Sequence, residues 1–182
     1  MQFKPHERVM LFIDGATTHK ISESLGFQID YARLLTKVNA YAHLIRAYYY
    51  TMVKVEIDHN GEELITLQPL LDYLDYNGYT VVTKDLREGP DNATGKSRQR
   101  GSIQTELVVD MVRMAPTYDH AVLFSGDGDF TYAVKHVQDL GRRVTVVSTT
   151  QTKPAAIADE LKRQADSFVD LATLKNTIQR VR

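Results

Sequence analysis

The chain of 182 residues contains no cysteine. It therefore has no disulfide, no thiolate zinc site and no thiol nucleophile. Its length suits one domain, residues 1–182, large enough to bury a core without crosslinks. No run of about 18 apolar residues occurs, so no membrane span is expected. Met1 to Arg8 are polar and lead straight into an apolar stretch, so no signal peptide is expected there and a cytoplasmic location is. Charge of one sign is also lacking. The formal net charge is −1, which gives no global electrostatic footprint of nucleic-acid binding. Repeats and low-complexity tracts are missing. So is a Gly-rich loop ending in Lys-Ser/Thr, which argues against a P-loop nucleotide hydrolase.

What is present is an alternation of strand-like and helix-like stretches. Arg8 to Ile13 is a short apolar run ending at Asp14-Gly15, the pattern of a buried strand feeding a turn. His43 to Val53, Tyr79 to Lys84, His120 to Phe124, Arg143 to Ser148 and Phe168 to Leu171 have strand composition. Helices are expected between them: Tyr31 to Tyr41 behind the N-cap Asp30, Glu62 to Asn77 with a leucine stripe, Ile103 to Ala115, Phe130 to Leu140, Pro154 to Asp166 and a terminal helix. Asp85 to Gly101 has almost no apolar content and reads as a long loop. Such alternation predicts a three-layer α/β/α sandwich around a mostly parallel sheet, with the last helices, about 154–182, packed on the same domain.

In open parallel sheets, ligands gather outside the carboxyl ends of the strands. Asp14 follows the first strand, and Ser125-Gly126-Asp127-Gly128-Asp129 follows the fourth, so the topology puts both acid groups on one edge. Crowded carboxylates repel one another, and a hard divalent cation, Mg2+ or Mn2+, relieves the repulsion. Asp14, Asp127 and Asp129 are the expected ligands, direct or through water. Glu106 and Asp110 lie four residues apart on one helix face and can complete the set. Each acid also has a plainer reading. Asp14 can be a turn residue, Asp129 a helix cap, and Glu106 and Asp110 a solvated face. An EF-hand calcium loop counted from Asp127 fails, because Tyr132 and Gln138 stand where Gly and Glu are required. A covalent aspartyl-phosphate mechanism is weakened by Ala16, which occupies the place of its second Asp.

The motif Leu11-Phe12-Ile13-Asp14-Gly15-Ala16 resembles the opening signature of NYN domains, a branch of the PIN-like nuclease superfamily. Ala47 to Thr51, Asp75 to Tyr79, Phe124 to Phe130, Gly141 to Ser148 and Ala158 to Asp166 also match, nearly end to end and in order. The pattern is similar to the bacterial LabA-like group. The resemblance implies a PIN-like sheet and metal-dependent ribonuclease chemistry, with the family's metal-binding acids mapping onto Asp14, Asp127 and Asp129. Two positions depart from the pattern. Thr17 stands where the family usually has Asn, and Gln104 where it usually has Asp, while Glu106 and Asp110 are kept. A Gln offers a carbonyl oxygen without charge, so metal affinity should be weaker.

The resulting expectation is an RNA-cutting enzyme with Asp14, Asp110, Asp127 and Asp129 as catalytic acids and Asp14, Asp127, Asp129 and Glu106 around the metal. Thr17, Gln104 and Ser125 line the site. Lys84, Arg87, Lys96, Arg98 and Arg100 crowd the predicted loop and are the candidate phosphate contacts, although acids within the loop dilute its charge. Single-stranded RNA is the expected partner; no membrane contact is expected, and a homodimer is left open. The alternatives are an inactive NYN scaffold that binds RNA or protein, and a metal-dependent phosphatase of small substrates.

Overall fold

The computed structural model describes residues 1–57, 63–90, 97–100 and 102–181. In chain order the elements are β1 (Arg8–Asp14), α1 (Gly15–Ser24), α2 (Tyr31–Asn39), β2 (His43–Val53), β3 (Val55–Ile57), β4 (Glu63–Ile65), α3 (Gln68–Tyr76), β5 (Tyr79–Asp85), β6 (Arg87–Pro90), β7 (Ser97–Arg100), α4 (Gln104–Arg113), β8 (His120–Phe124), α5 (Thr131–Asp139), β9 (Arg143–Ser148), α6 (Asp159–Gln164), β10 (Ser167–Asp170) and α7 (Leu171–Ile178).

Six strands form one sheet in the order β10-β9-β8-β1-β2-β5. Every pairing in it is parallel. The most apolar strands sit in the middle: β8 is buried along its whole length, and β1 everywhere except its first residue. Side chains of successive strand residues alternate between the two faces. Val9, Leu11, Ile13 and Tyr49 join a core with Leu34, Val38, Leu74 and Ile178 from α2, α3 and α7. Met10, Phe12, Tyr48 and Tyr50 join a second core with Leu107, Met111, Val134 and Leu161 from α4, α5 and α6. This is the expected three-layer α/β/α architecture. The C-terminal helices cover opposite faces: Leu161 of α6 is buried in one core, Leu171 and Ile178 of α7 in the other.

Three expected elements are different. The helix expected over Glu62 to Asn77 starts only at Gln68, because Glu63–Ile65 pairs antiparallel with Val55–Ile57 as a small hairpin. Pro69 marks the new start, since its missing N–H is tolerated only in the first turn. The expected loop over Asp85 to Gly101 contains a second antiparallel pair, Arg87 with Arg100 through Pro90 with Ser97. Backbone pairing of this kind needs no apolar pattern. The helix expected from Pro154 begins at Asp159. The residues before it spend their backbone groups elsewhere: Ala156 N–H donates to the Thr149 carbonyl at 3.1 Å, and Ala158 N–H to that of Gly126 at 2.9 Å.

Candidate metal and phosphodiester site

Chain order reverses around β1. The chain first runs outward through β2 and β5, then crosses to β8, β9 and β10 on the other side. The crevice beyond β1 and β8 is thus the topological switch point, where ligands of such sheets bind. Register puts Ile13 opposite Phe124, so Asp14 and Ser125 leave their strands side by side.

Asp14 caps α1. Its Oδ1 accepts from the Thr17 N–H at 3.2 Å, and its Oδ2 accepts from Thr17 Oγ1 at 2.6 Å and from Ser125 Oγ at 3.2 Å. The Ser125 hydroxyl also accepts from the Asp127 N–H at 3.3 Å, so one buried serine links the two acid motifs. Asp127 Oδ1 accepts from the Asp129 N–H at 3.0 Å, and its Oδ2 from the Gln104 side-chain amide at 2.5 Å. The Gln104 carbonyl oxygen in turn accepts from Ser102 Oγ at 3.0 Å. Asp14, Thr17, Gln104, Ser125 and Asp127 therefore form one continuous polar chain. Asp129 lies exposed beside it. Asp14, Asp127 and Asp129 have no ion-pair partner among the described residues.

Glu106 and Asp110 have other engagements. Lys84 Nζ donates to Glu106 Oε1 at 2.6 Å and to the Ser102 carbonyl at 3.1 Å, tying β5 to the start of α4. That ammonium holds the Glu106 carboxyl below its usual range. Asp110 accepts from the Tyr50 hydroxyl at 3.0 Å and from Arg113 at 2.8 Å. Burial, reinforced by Asp110, pushes the Tyr50 pKa up, so the phenol stays protonated and donates. Among the described residues, no cluster of three or more His, Cys, Asp or Glu side chains is arranged to hold a metal ion. Of the expected phosphate contacts, Lys84 is the cation paired with Glu106, while Arg87, Arg98 and Arg100 are placed by their backbones on β6 and β7. Lys96 lies outside the described residues. Tyr48, Tyr49 and Tyr50 are buried.

A cavity of about 440 Å3 adjoins this chain of polar groups, lined in part by Thr17, Lys20, Asp127, Thr152 and Lys153. Sequence reasoning missed Lys20, Thr152 and Lys153. Lys20 was accessible to it, because it lies six residues after Asp14 on the helix that Asp14 caps. Lys153 was not, because no local pattern tells that Thr152 to Ala156 lie beside Asp127.

The fold agrees with that of a related solved structure, and the sequence matches a known family. The NYN domain family matches residues 8–172. The low amplitude and bright protein LabA of Synechococcus elongatus is 35% identical over 188 residues, covering 99% of this chain and 91% of that protein. A solved structure of a Vibrio parahaemolyticus protein of unknown function shares the fold with a TM-score of 0.72 at 21% identity, covering 94% of this chain and 96% of that one. No helix among the described residues is long and apolar enough to cross a membrane. The match over almost the whole chain and the identity to LabA make this protein a member of the NYN domain family, a nuclease-like family whose enzymes generally use divalent metals.

Proposed function

We propose that this NYN domain hydrolyses phosphodiester bonds of single-stranded RNA, assisted by Mg2+ or Mn2+, at the edge formed by Asp14 and Asp127. One observation carries the reading. At the switch point one buried serine hydroxyl donates to the Asp14 carboxylate and accepts from the backbone N–H of Asp127, so acids far apart in sequence stand on neighbouring strand ends, held by neutral donors and by no cation among the described residues.

The donor set suits a divalent cation held jointly with substrate. An ionised carboxylate has about four acceptor positions. Asp127 uses two of them, for Asp129 N–H and Gln104. Mg2+ is commonly bound by one or two carboxylates together with waters and substrate phosphates. A bound cation would offset negative charge on the phosphodiester and lower the pKa of a water molecule. The protein's own contribution is orientation. Thr17 and Ser125 fix the Asp14 carboxylate, Gln104 holds that of Asp127, and exposed Asp129 is the candidate for a water-mediated contact. Glu106 and Asp110 we assign to anchoring α4, through Lys84, Tyr50 and Arg113.

The second reading, an RNA- or protein-binding module on a nuclease scaffold, is favoured by Gln104. Its amide is neutral and already spends a donor on Asp127. Cleavage of labelled single-stranded RNA with Mn2+ separates the two readings, using the native protein, Asp14→Asn and Gln104→Asp. Cutting by the native chain and none by Asp14→Asn supports the enzyme. Cutting by Gln104→Asp alone sinks it and leaves the binding module.

A further inference from the structure

The cavity beside Asp127 has two walls. One is α1, where Thr17, Lys20 and Ser24 stand at spacings of three and four and share a stripe. The other is the segment running from Thr152 to Ala156. That second wall is pinned to the acid turn. Ser148 Oγ donates to the Ala156 carbonyl at 2.7 Å, and Ala158 N–H donates to the Gly126 carbonyl at 2.9 Å. The approach requires glycine, since a Cβ on Gly126 would overlap the Ala156 carbonyl oxygen. The turn that presents Asp127 therefore also positions Lys153.

Lys20 and Lys153 are exposed, and neither has an ion-pair partner among the described residues. Elsewhere the described lysines include paired ones, Lys84 with Glu106 and Lys135 with Asp139. The Thr152 hydroxyl oxygen is buried with no hydrogen-bond partner. A hydroxyl in that position is destabilising unless a water or ligand completes it. The volume, about 440 Å3, falls within the range of roughly 300–1,000 Å3 for small-ligand pockets, enough for a nucleotide.

An anionic strand approaching Asp14 and Asp127 meets like charge, and a chain of net charge −1 offers no general attraction to offset it. Cations must then lie beside the carboxylates. The geometry points to this cavity as a backbone subsite: Lys20 and Lys153 hold the phosphate next to the one at the carboxylate edge, and the unpartnered Thr152 hydroxyl donates to it. The assignment rests on the RNA reading of the site and names the surface that feeds it.

The test measures anisotropy of a labelled single-stranded RNA against salt, in the Asp14→Asn background to prevent cutting. Lys20→Ala/Lys153→Ala should weaken binding roughly ten-fold and reduce the slope of log affinity against log salt by about 1.4, or 0.7 for each lost phosphate contact. Lys20→Arg/Lys153→Arg should keep the slope. Lys37→Ala, on exposed α2 surface, should change neither quantity. Thermal melts of each variant exclude unfolding as the cause. Unchanged affinity and slope in the double alanine variant, with the native chain still binding and cutting RNA, overturns the subsite and leaves the ribonuclease standing. Failure of the native chain to bind RNA at low salt overturns both. Uridine monophosphate displacing the RNA at stoichiometric concentration overturns the strand assignment in favour of a mononucleotide site.

Discussion

Glu7 immediately precedes β1 and Asp14 ends it, and the two are almost equally buried, at 6% and 4% exposure. Their partners differ in kind. Glu7 Oε1 accepts from Arg143 at 2.7 Å, and its Oε2 lies 3.2 Å from Nδ1 of fully buried His120. Because a carboxylate only accepts, Nδ1 carries the proton, and Nε2 accepts from the Thr145 hydroxyl at 2.7 Å. Nearby, Arg8 and Arg142 both pair with Asp119, and Arg8 holds that carboxyl down at about 2. Asp14 receives only hydroxyl and amide donors. At the N-terminal end of the sheet, opposite charges are matched and tie β1, β8 and β9 together. At the C-terminal end, Asp14, Asp127 and Asp129 have no ion-pair partner among the described residues, which leaves them free to act on something outside the chain. Sites of this kind commonly trade local stability for function.

The sharpest test of this contrast is Asp14→Asn. RNA cleavage with Mn2+ should fall at least about 100-fold, roughly 3 kcal/mol in the barrier. Unfolding free energy from urea titration should stay within about 1 kcal/mol of native, because Asn keeps a side-chain oxygen that accepts from Thr17 and Ser125. A large loss of stability would show that Asp14 is mainly a structural cap. At the other end, Glu7→Ala should cost about 3 kcal/mol in the same titration, since it strands buried His120 and the Arg143 guanidinium. Cleavage by the folded fraction should not change.

Gly126→Ala probes the boundary between the two roles. Overlap with the Ala156 carbonyl should cost about 2 kcal/mol and weaken RNA binding together, as the wall carrying Lys153 moves. Stability lost without affinity lost would separate that wall from the site. The smallest effect concerns pH. Burial lowers the His120 pKa below 6.5, outweighing the upward pull of Glu7, with Arg143 lowering it and Asp166 raising it. The folded pKa is depressed, so the unfolded chain takes up the proton first as pH falls through about 6.5, and stability declines from there toward the folded pKa. His120→Gln should flatten that part of a stability-against-pH curve. An unchanged curve would assign the acid sensitivity to other groups.

Much of this was legible in one sequence. The boundaries of β2, β8 and β9 follow from β-branched and aromatic composition, and the coincidence of Asp14 with Asp127 follows from parallel topology alone. Gln104 was visible too, but its contact with Asp127 was not, because a side-chain amide carries no signal of where it points. The same holds for Glu106 and Asp110. Their spacing shows a shared helix face, while Lys84 and Tyr50, which engage them, arrive from other strands.

The sequence by itself determined the alternating strand and helix pattern, the three layers and the edge where acids collect, because periodicity and the right-handed geometry of parallel crossovers are local rules. Only the tertiary structure decided which carboxylates remain without cations, that residues 154–158 fold back onto Gly126 instead of opening a helix, and that Lys20 and Lys153 share one cavity. Those outcomes depend on hydrogen-bond partners brought together across the sheet, and no local pattern encodes which distant group will satisfy a given backbone amide or hydroxyl.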